Sequence, residues 1–182
     1  AERSTDLHDQ SLLSLYCGLR FGEIASLEWG DVDLDRGILT LRDTKSGKTR
    51  PAIMTEAVKT MLAGRIRGEH HELVFPGRGG RKQTSASDTF GRTVEALGLN
   101  EGVEDGRQRI VFHSLRHTYA SWLVESGVDL YSVKELMGHS TLAMTERYAH
   151  LAPDTLRRAV SSLEAHVAAK PDQKSKVIPL AR

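Results

Sequence analysis

Residues 113–127, HSLRHTYASWLVESG, carry a serine start signal and close on Gly127, so they read as a helix. The three stretches that follow repeat the pattern: DLYSVKELMG at 129–138, STLAMTERYA at 140–149 and PDTLRRAVSSLEAHVAA at 153–169. Each opens on Ser, Asp or Pro, and DLYSVKELMG also closes on a glycine. The second half of the chain is therefore expected to be a succession of helices.

Upstream, the pattern is mixed. STDLHDQSLLSLYCG, at 4–18, has a Ser/Thr start, apolar residues at Leu12, Leu13, Leu15 and Tyr16, and a stop at Gly18. RFGEIASLEW resumes helical spacing with Ile24 and Leu27, and GDVDLDRG after it is turn chemistry. GILTLR and KTRPAIM read as two short strands joined by DTKSG, a hairpin. TEAVKTMLAGRI predicts a helix with Thr55 as cap and Val58, Met61 and Leu62 on one face. ELVF, at 72–75, predicts a further short strand. PGRGGRKQTS is a loop without the residue order of a phosphate-cradling P-loop. DTFGRTVEALG is helical and LNEGVEDGRQR a polar loop. The expected fold class is mainly α with a small antiparallel β-sheet, α+β.

The 182 residues suit one domain, or one domain and an appendage. Hydrophobic content of 39% allows a real core, and charged content of 27% is ordinary. One cysteine, Cys17, excludes an internal disulfide and cysteine-rich zinc sites. No apolar run approaches the length needed to cross a bilayer and no secretory leader is visible, so a cytoplasmic protein with no membrane partner is expected. Net charge is only +1, but its signs are segregated. Four basic residues fall between Arg42 and Arg50 and five between Arg65 and Lys82, while acids gather in EWGDVDLD. Such segregation can still give a positive face.

Several polar residues stand out by position. Arg20 lies just past a helix stop. Lys45 is at the tip of the expected hairpin. His113 and Arg116, three apart, face one side of a helix. His139 follows Gly138 at a helix break, and Tyr148 follows nine residues later, flanked by Arg147 and His150. Each has a plain structural explanation, such as a surface ion pair of Arg20 with Glu23 or a packing role for Tyr148. His113 and His117 have a spacing that could hold zinc. Neither an H-E-x-x-H pattern nor a cysteine ligand accompanies them, so no metal is expected.

Together, CGLRFGEIASLEWGDVD, TKSGKTR, HSLRHTYASWLVESG and LMGHSTLAMTERYAH resemble the catalytic domain of tyrosine recombinases, the phage integrase family. The resemblance runs from about Leu7 to about Ala165, with its motifs in the family's order. Cys17 stands where threonine is expected, and Ser114 where an acidic residue is commoner. The resemblance implies a catalytic domain over 1–168 and a polar tail over 169–182. The family's amino-terminal core-binding domain is missing, and a start at Ala1 fits a piece of a longer protein.

The resemblance also implies roles. Tyr148 attacks a phosphodiester of double-stranded DNA and forms a 3′-phosphotyrosyl bond. Arg20 and Arg116 hold the non-bridging oxygens, and His139 hydrogen-bonds the same phosphate. Lys45 protonates the leaving 5′-oxygen, His113 assists proton transfer, and Glu23 orients an arginine. Neither cofactor nor metal is needed. Four subunits would act on two duplexes, while this chain alone would be a monomer. The segment after the tyrosine, with Leu156, Val160, Leu163 and Val167 in a stripe, would dock on a neighbouring subunit or pack on its own domain.

The chemistry demands the same residue types. Guanidiniums stabilise the charge that grows on the phosphate oxygens without a metal. Free tyrosine, with a pKa of about 10, is a poor nucleophile at neutral pH, and clustered positive charge is expected to favour its phenolate. The other readings are a type IB topoisomerase, which shares this residue set, and a DNA-binding module without catalysis.

Overall fold

The structure, a computed structural model, describes residues 2–42, 49–86, 88–152 and 155–169. Helix α1 (Glu2–Cys17) stops at Gly18, whose φ of +67° suits a residue without Cβ. A Cβ there would meet the Tyr119 ring at 2.5 Å, so the glycine also lets α1 approach the later helices closely. Helix α2 (Phe21–Ala25) follows, then a 3₁₀ turn at Trp29–Asp31.

Strands β1 (Val32–Asp33), β2 (Ile38–Arg42) and β3 (Thr49–Ile53) form an antiparallel sheet in the order β1-β2-β3. Leu39 stands between Val32 and Ala52 in register. All three are buried, as is Leu41, whereas Thr40 and Arg42 face out. The expected hairpin strands are present. β1 lies inside a stretch expected to be only a turn: two residues are too short to reveal alternation, and the Asp33 side chain accepts the Arg36 N–H at 2.9 Å to build that turn. The strand expected at 72–75 is absent, and Leu73 makes only an isolated bridge to Glu28.

Helix α3 (Glu56–Ala63) buries Val58 and Leu62; Thr55 sits at its cap without a side-chain cap bond. After it come α4 (Asp88–Ala96), α5 (Phe112–Glu125), α6 (Leu130–Met137), α7 (Ala143–Glu146) and α8 (Thr155–Ala168). The stretch 140–149 is thus not one helix. Only α7 is α-helical, and Tyr148 sits between it and a 3₁₀ turn at Ala149–Leu151.

Two apolar clusters hold the chain. The larger gathers Leu13, Leu19, Ile24, Leu39, Val58 and Phe75 among others, joining α1, the sheet and α3. The smaller consists of Ala120, Val124, Val133, Met137 and Tyr148, between α5, α6 and the segment after α7. Cys17 is buried in the larger one, and burial pushes its thiol up to about 11, which makes it an inert core residue. Helix α8 exposes Val160, Leu163 and Val167, each more than half accessible. The Leu156 side chain and residues 170–182 lie outside the described residues. Among the described residues no helix is long and apolar enough to cross a membrane.

Candidate active site

The centre of the site is a carboxylate among arginines. Glu23, in the first turn of α2, accepts the Arg20 backbone N–H at 2.7 Å and pairs with the Arg20 guanidinium at 3.1 Å. Arg50, from β3, donates one nitrogen to both Glu23 oxygens at 3.1 Å and another to the Leu136 carbonyl at 3.1 Å. Arg116 lies 3.9 Å from the same carboxylate. Glu23 therefore holds three cations contributed by three segments.

Arg116 and Arg20 differ in setting. Arg116 is 1% exposed and donates to the carbonyls of Gly18 and Met137, so α5 is tied to the ends of α1 and α6. Burial first, and then neighbouring Arg20, lower its pKa to about 10, which leaves it charged at neutral pH. Arg20 keeps about a third of its side chain in solvent.

His139 is placed by a helix stop. Gly138 takes a left-handed conformation, φ +61°, and the N–H groups of Gly138 and His139 reach back to Glu135 and Lys134. The His139 Nδ1 lies 2.9 Å from the hydroxyl of buried Thr145. Burial, followed by the charges of Arg116, Arg20 and Arg50, brings the His139 pKa down to about 4, so the ring is neutral.

Tyr148 is 5% exposed. Its hydroxyl is hydrogen-bonded to Nδ1 of His117, and the His117 ring meets His113 edge-on at 4.7 Å. Burial, mainly, together with neighbouring positive charge, lowers the pKa of both histidines. Burial raises that of Tyr148, against the opposing pull of Arg147 and Arg116. Positive charge therefore does not leave Tyr148 a phenolate here, contrary to the expectation from the residue types alone, because desolvation of the phenol outweighs it.

Arg20, His113, Arg116, His117, His139, Arg147 and Tyr148 line one cleft of about 470 Å³. Five of the sequence candidates thus converge, with Glu23 behind them. Lys45, expected at a hairpin tip, lies outside the described residues; β2 ends before it and β3 begins after it. Sequence reasoning missed Arg50 and Thr145, and it weighed His117 only as a metal ligand. The i, i+4 spacing from His113 was its signal. Arg50 had none beyond its place in a basic run. Among the described residues no three His, Cys, Asp or Glu side chains gather as a metal site.

The family model described as the phage integrase family matches residues 1–155. Tyrosine recombinase XerA of Thermococcus kodakarensis is 34% identical over 153 residues, covering 81% of this chain and 52% of that protein. The solved catalytic domain of bacteriophage HP1 integrase superposes with a TM-score of 0.64 at 28% identity, covering 93% of this chain and 97% of that one. XerH site-specific recombinase bound to its difH substrate shares the fold, with a TM-score of 0.69 at 22% identity over 90% of this chain and 48% of that one. The chain spans about half the length of the curated relatives it matches. With a family model over most of its length and a superposable catalytic domain, the chain belongs to the phage integrase family of tyrosine recombinases.

Proposed function

We propose that the chain is the catalytic part of a site-specific DNA recombinase that cuts and rejoins strands through a 3′-phosphotyrosyl bond, without metal or ATP. The Tyr148 oxygen attacks phosphorus and the bond to the 5′-oxygen breaks. Arg20 and Arg116 stabilise the charge that develops on the non-bridging oxygens, and His139 adds a hydrogen bond. His113 assists proton transfer, and Lys45, between β2 and β3 in the sequence, protonates the leaving oxygen. The ester keeps the energy of the cut bond, so a 5′-hydroxyl can reseal the strand. Glu23 is a positioning residue, holding Arg20 and Arg116 at a fixed separation.

The observation that carries this reading is the convergence of Arg20, His113, Arg116, His139 and Tyr148 on one cleft. The ligand in this reading is double-stranded DNA, and the place of action is the cytoplasm. Four copies on two duplexes fit the apolar stripe of α8, whose Val160, Leu163 and Val167 are left uncovered. Nothing in the site favours relaxation of supercoils over recombination; a relaxation assay beside a two-site assay separates them.

The direct test uses nicked duplexes with a randomised centre, incubated with the protein and captured as covalent adducts on a denaturing gel. Wild type should retain a sequence-selected adduct. Tyr148→Phe, which removes one oxygen, should retain none while binding DNA comparably. Equal adduct from the Phe variant would overturn the assignment.

A further inference from the structure

We propose that His117 is the base that accepts the Tyr148 proton. This rests on the recombinase reading above and adds a residue that reading does not use. The geometry carries it: among the residues of the cleft, the group hydrogen-bonded to the Tyr148 hydroxyl is Nδ1 of His117. His113 does not occupy that place; its ring packs edge-on against that of His117.

For Nδ1 to accept this hydrogen bond, the His117 ring must be neutral, with its proton on Nε2. The surroundings favour that state. His113 and Arg116 flank His117 on α5, Arg147 and Tyr148 face it from the segment after α7, and His139 and Arg20 share the cleft from the end of α6 and the start of α2. Among the described residues no carboxylate lines the cleft. Burial first, and then His113, Arg147 and Arg116, lower the basicity of His117, while burial weakens Tyr148 as an acid. Both effects oppose transfer in the free protein, so the nucleophile stays a neutral phenol there. An anionic phosphodiester entering the cleft supplies the missing negative charge and makes an imidazolium tolerable. The base therefore acts only when DNA is bound.

The step balances. As the Tyr148 oxygen bonds to phosphorus, its proton passes to Nδ1 of His117, the P–O5′ bond breaks, and the 5′-oxygen takes a proton from Lys45. On resealing, the attacking 5′-hydroxyl returns its proton to Lys45, the P–O bond to Tyr148 breaks, and His117 gives its proton back to the phenolate. No external acid, base or oxidant is required.

The test compares His117→Ala and His117→Asn with wild type, using a nicked duplex selected as above by covalent capture on the wild-type protein. Asn keeps a hydrogen-bond acceptor near the Nδ1 position but cannot carry the proton. Both variants should form adduct roughly 10²- to 10³-fold more slowly. Their deficit should shrink as pH rises toward the tyrosine pKa, and imidazole in solution should partly restore the Ala variant. Adduct formation by His117→Ala within about threefold of wild type, or a full rate for His117→Asn at every pH, would overturn the proposal. Failure of wild type itself to exceed Tyr148→Phe would instead sink the recombinase reading. Nitrogen NMR of the unliganded protein is independent of activity. It should show His117 protonated on Nε2, with an Nδ1 signal that shifts in Tyr148→Phe; an Nδ1-protonated ring, or no shift, counts against the proposal.

Discussion

The two apolar clusters do different work at the same cleft. The larger one, around α1, the sheet and α3, carries Arg20, Glu23 and Arg50 on its rim. These side chains are locked to one another by ion pairs at 3.1 Å. The smaller one buries five residues and carries Tyr148, the proposed nucleophile, on a short segment with no long helix of its own. Arg116 links the two, reaching the carbonyl of Gly18 on one side and that of Met137 on the other. The contrast teaches a division of labour. Under the proposed function, Arg20 and its partners, which would bind a constant phosphate, sit on the extensive core, while Tyr148, which would form and break a bond, sits on a limited one that can yield locally.

The comparison can be broken hardest at its joint. Glu23→Ala removes the carboxylate that pairs with three arginines, one of them 1% exposed. Breaking a buried pair from one side leaves uncompensated charge, so a loss of about 3 kcal/mol or more is expected in denaturant unfolding. Glu23→Gln keeps the shape and should lose less. A loss below about 1 kcal/mol for the Ala variant would mean that solvent, not Glu23, balances these cations.

Core truncations sharpen the same contrast. Leu39→Ala, in the larger cluster, should cost about 2–5 kcal/mol and lower the protection of the whole chain in hydrogen exchange. Val133→Ala, in the smaller, removes two methyl groups and should cost about 2 kcal/mol. Its exchange should accelerate chiefly in α5, α6 and the Tyr148 segment. If both variants raise exchange everywhere alike, the clusters form one cooperative unit and the division fails.

The mildest expected effect is of acid. His113, His117 and His139 all have pKa values lowered in the folded state, His139 to about 4. In the unfolded chain they return to about 6.5. Between these values the unfolded state binds more protons, so stability falls as pH drops from about 6.5 toward 4 and does not fall further from this source. All three face the cleft. Replacing His139 with Gln should therefore flatten part of this slope in thermal melts across that range, and an unchanged slope would place the acid sensitivity elsewhere.

The sequence disclosed much of this. A stop residue marked the end of α1, whose expected Ser/Thr start lies inside the helix, and local signals marked α3, α4, α5 and α6, because a glycine at a helix end and an Asp such as Asp129 at its beginning act through their nearest neighbours. Alternation disclosed β2 and β3 for the same reason. It misjudged ELVF because burial of Val74 and Phe75 comes from contacts with other segments, not from strand pairing. It missed β1 and overextended the helix at 140–149, where short elements leave no periodicity to read.

For the site, the residue types were in the sequence and their partnerships were not. Arg20, His113, Arg116, His139 and Tyr148 stood out by their positions in the chain, and the resemblance to tyrosine recombinases grouped them, with Glu23, into one set. That Arg50 grips Glu23, that Thr145 steadies His139 and that His117 receives the Tyr148 hydroxyl depend on residues 27, 6 and 31 positions apart. Local propensities do not encode such separations. The protonation state of Tyr148 was likewise decided only in three dimensions. Positive neighbours can be counted along a sequence, but the desolvation that outweighs them exists only once α5, α6 and the segment after α7 close over the ring.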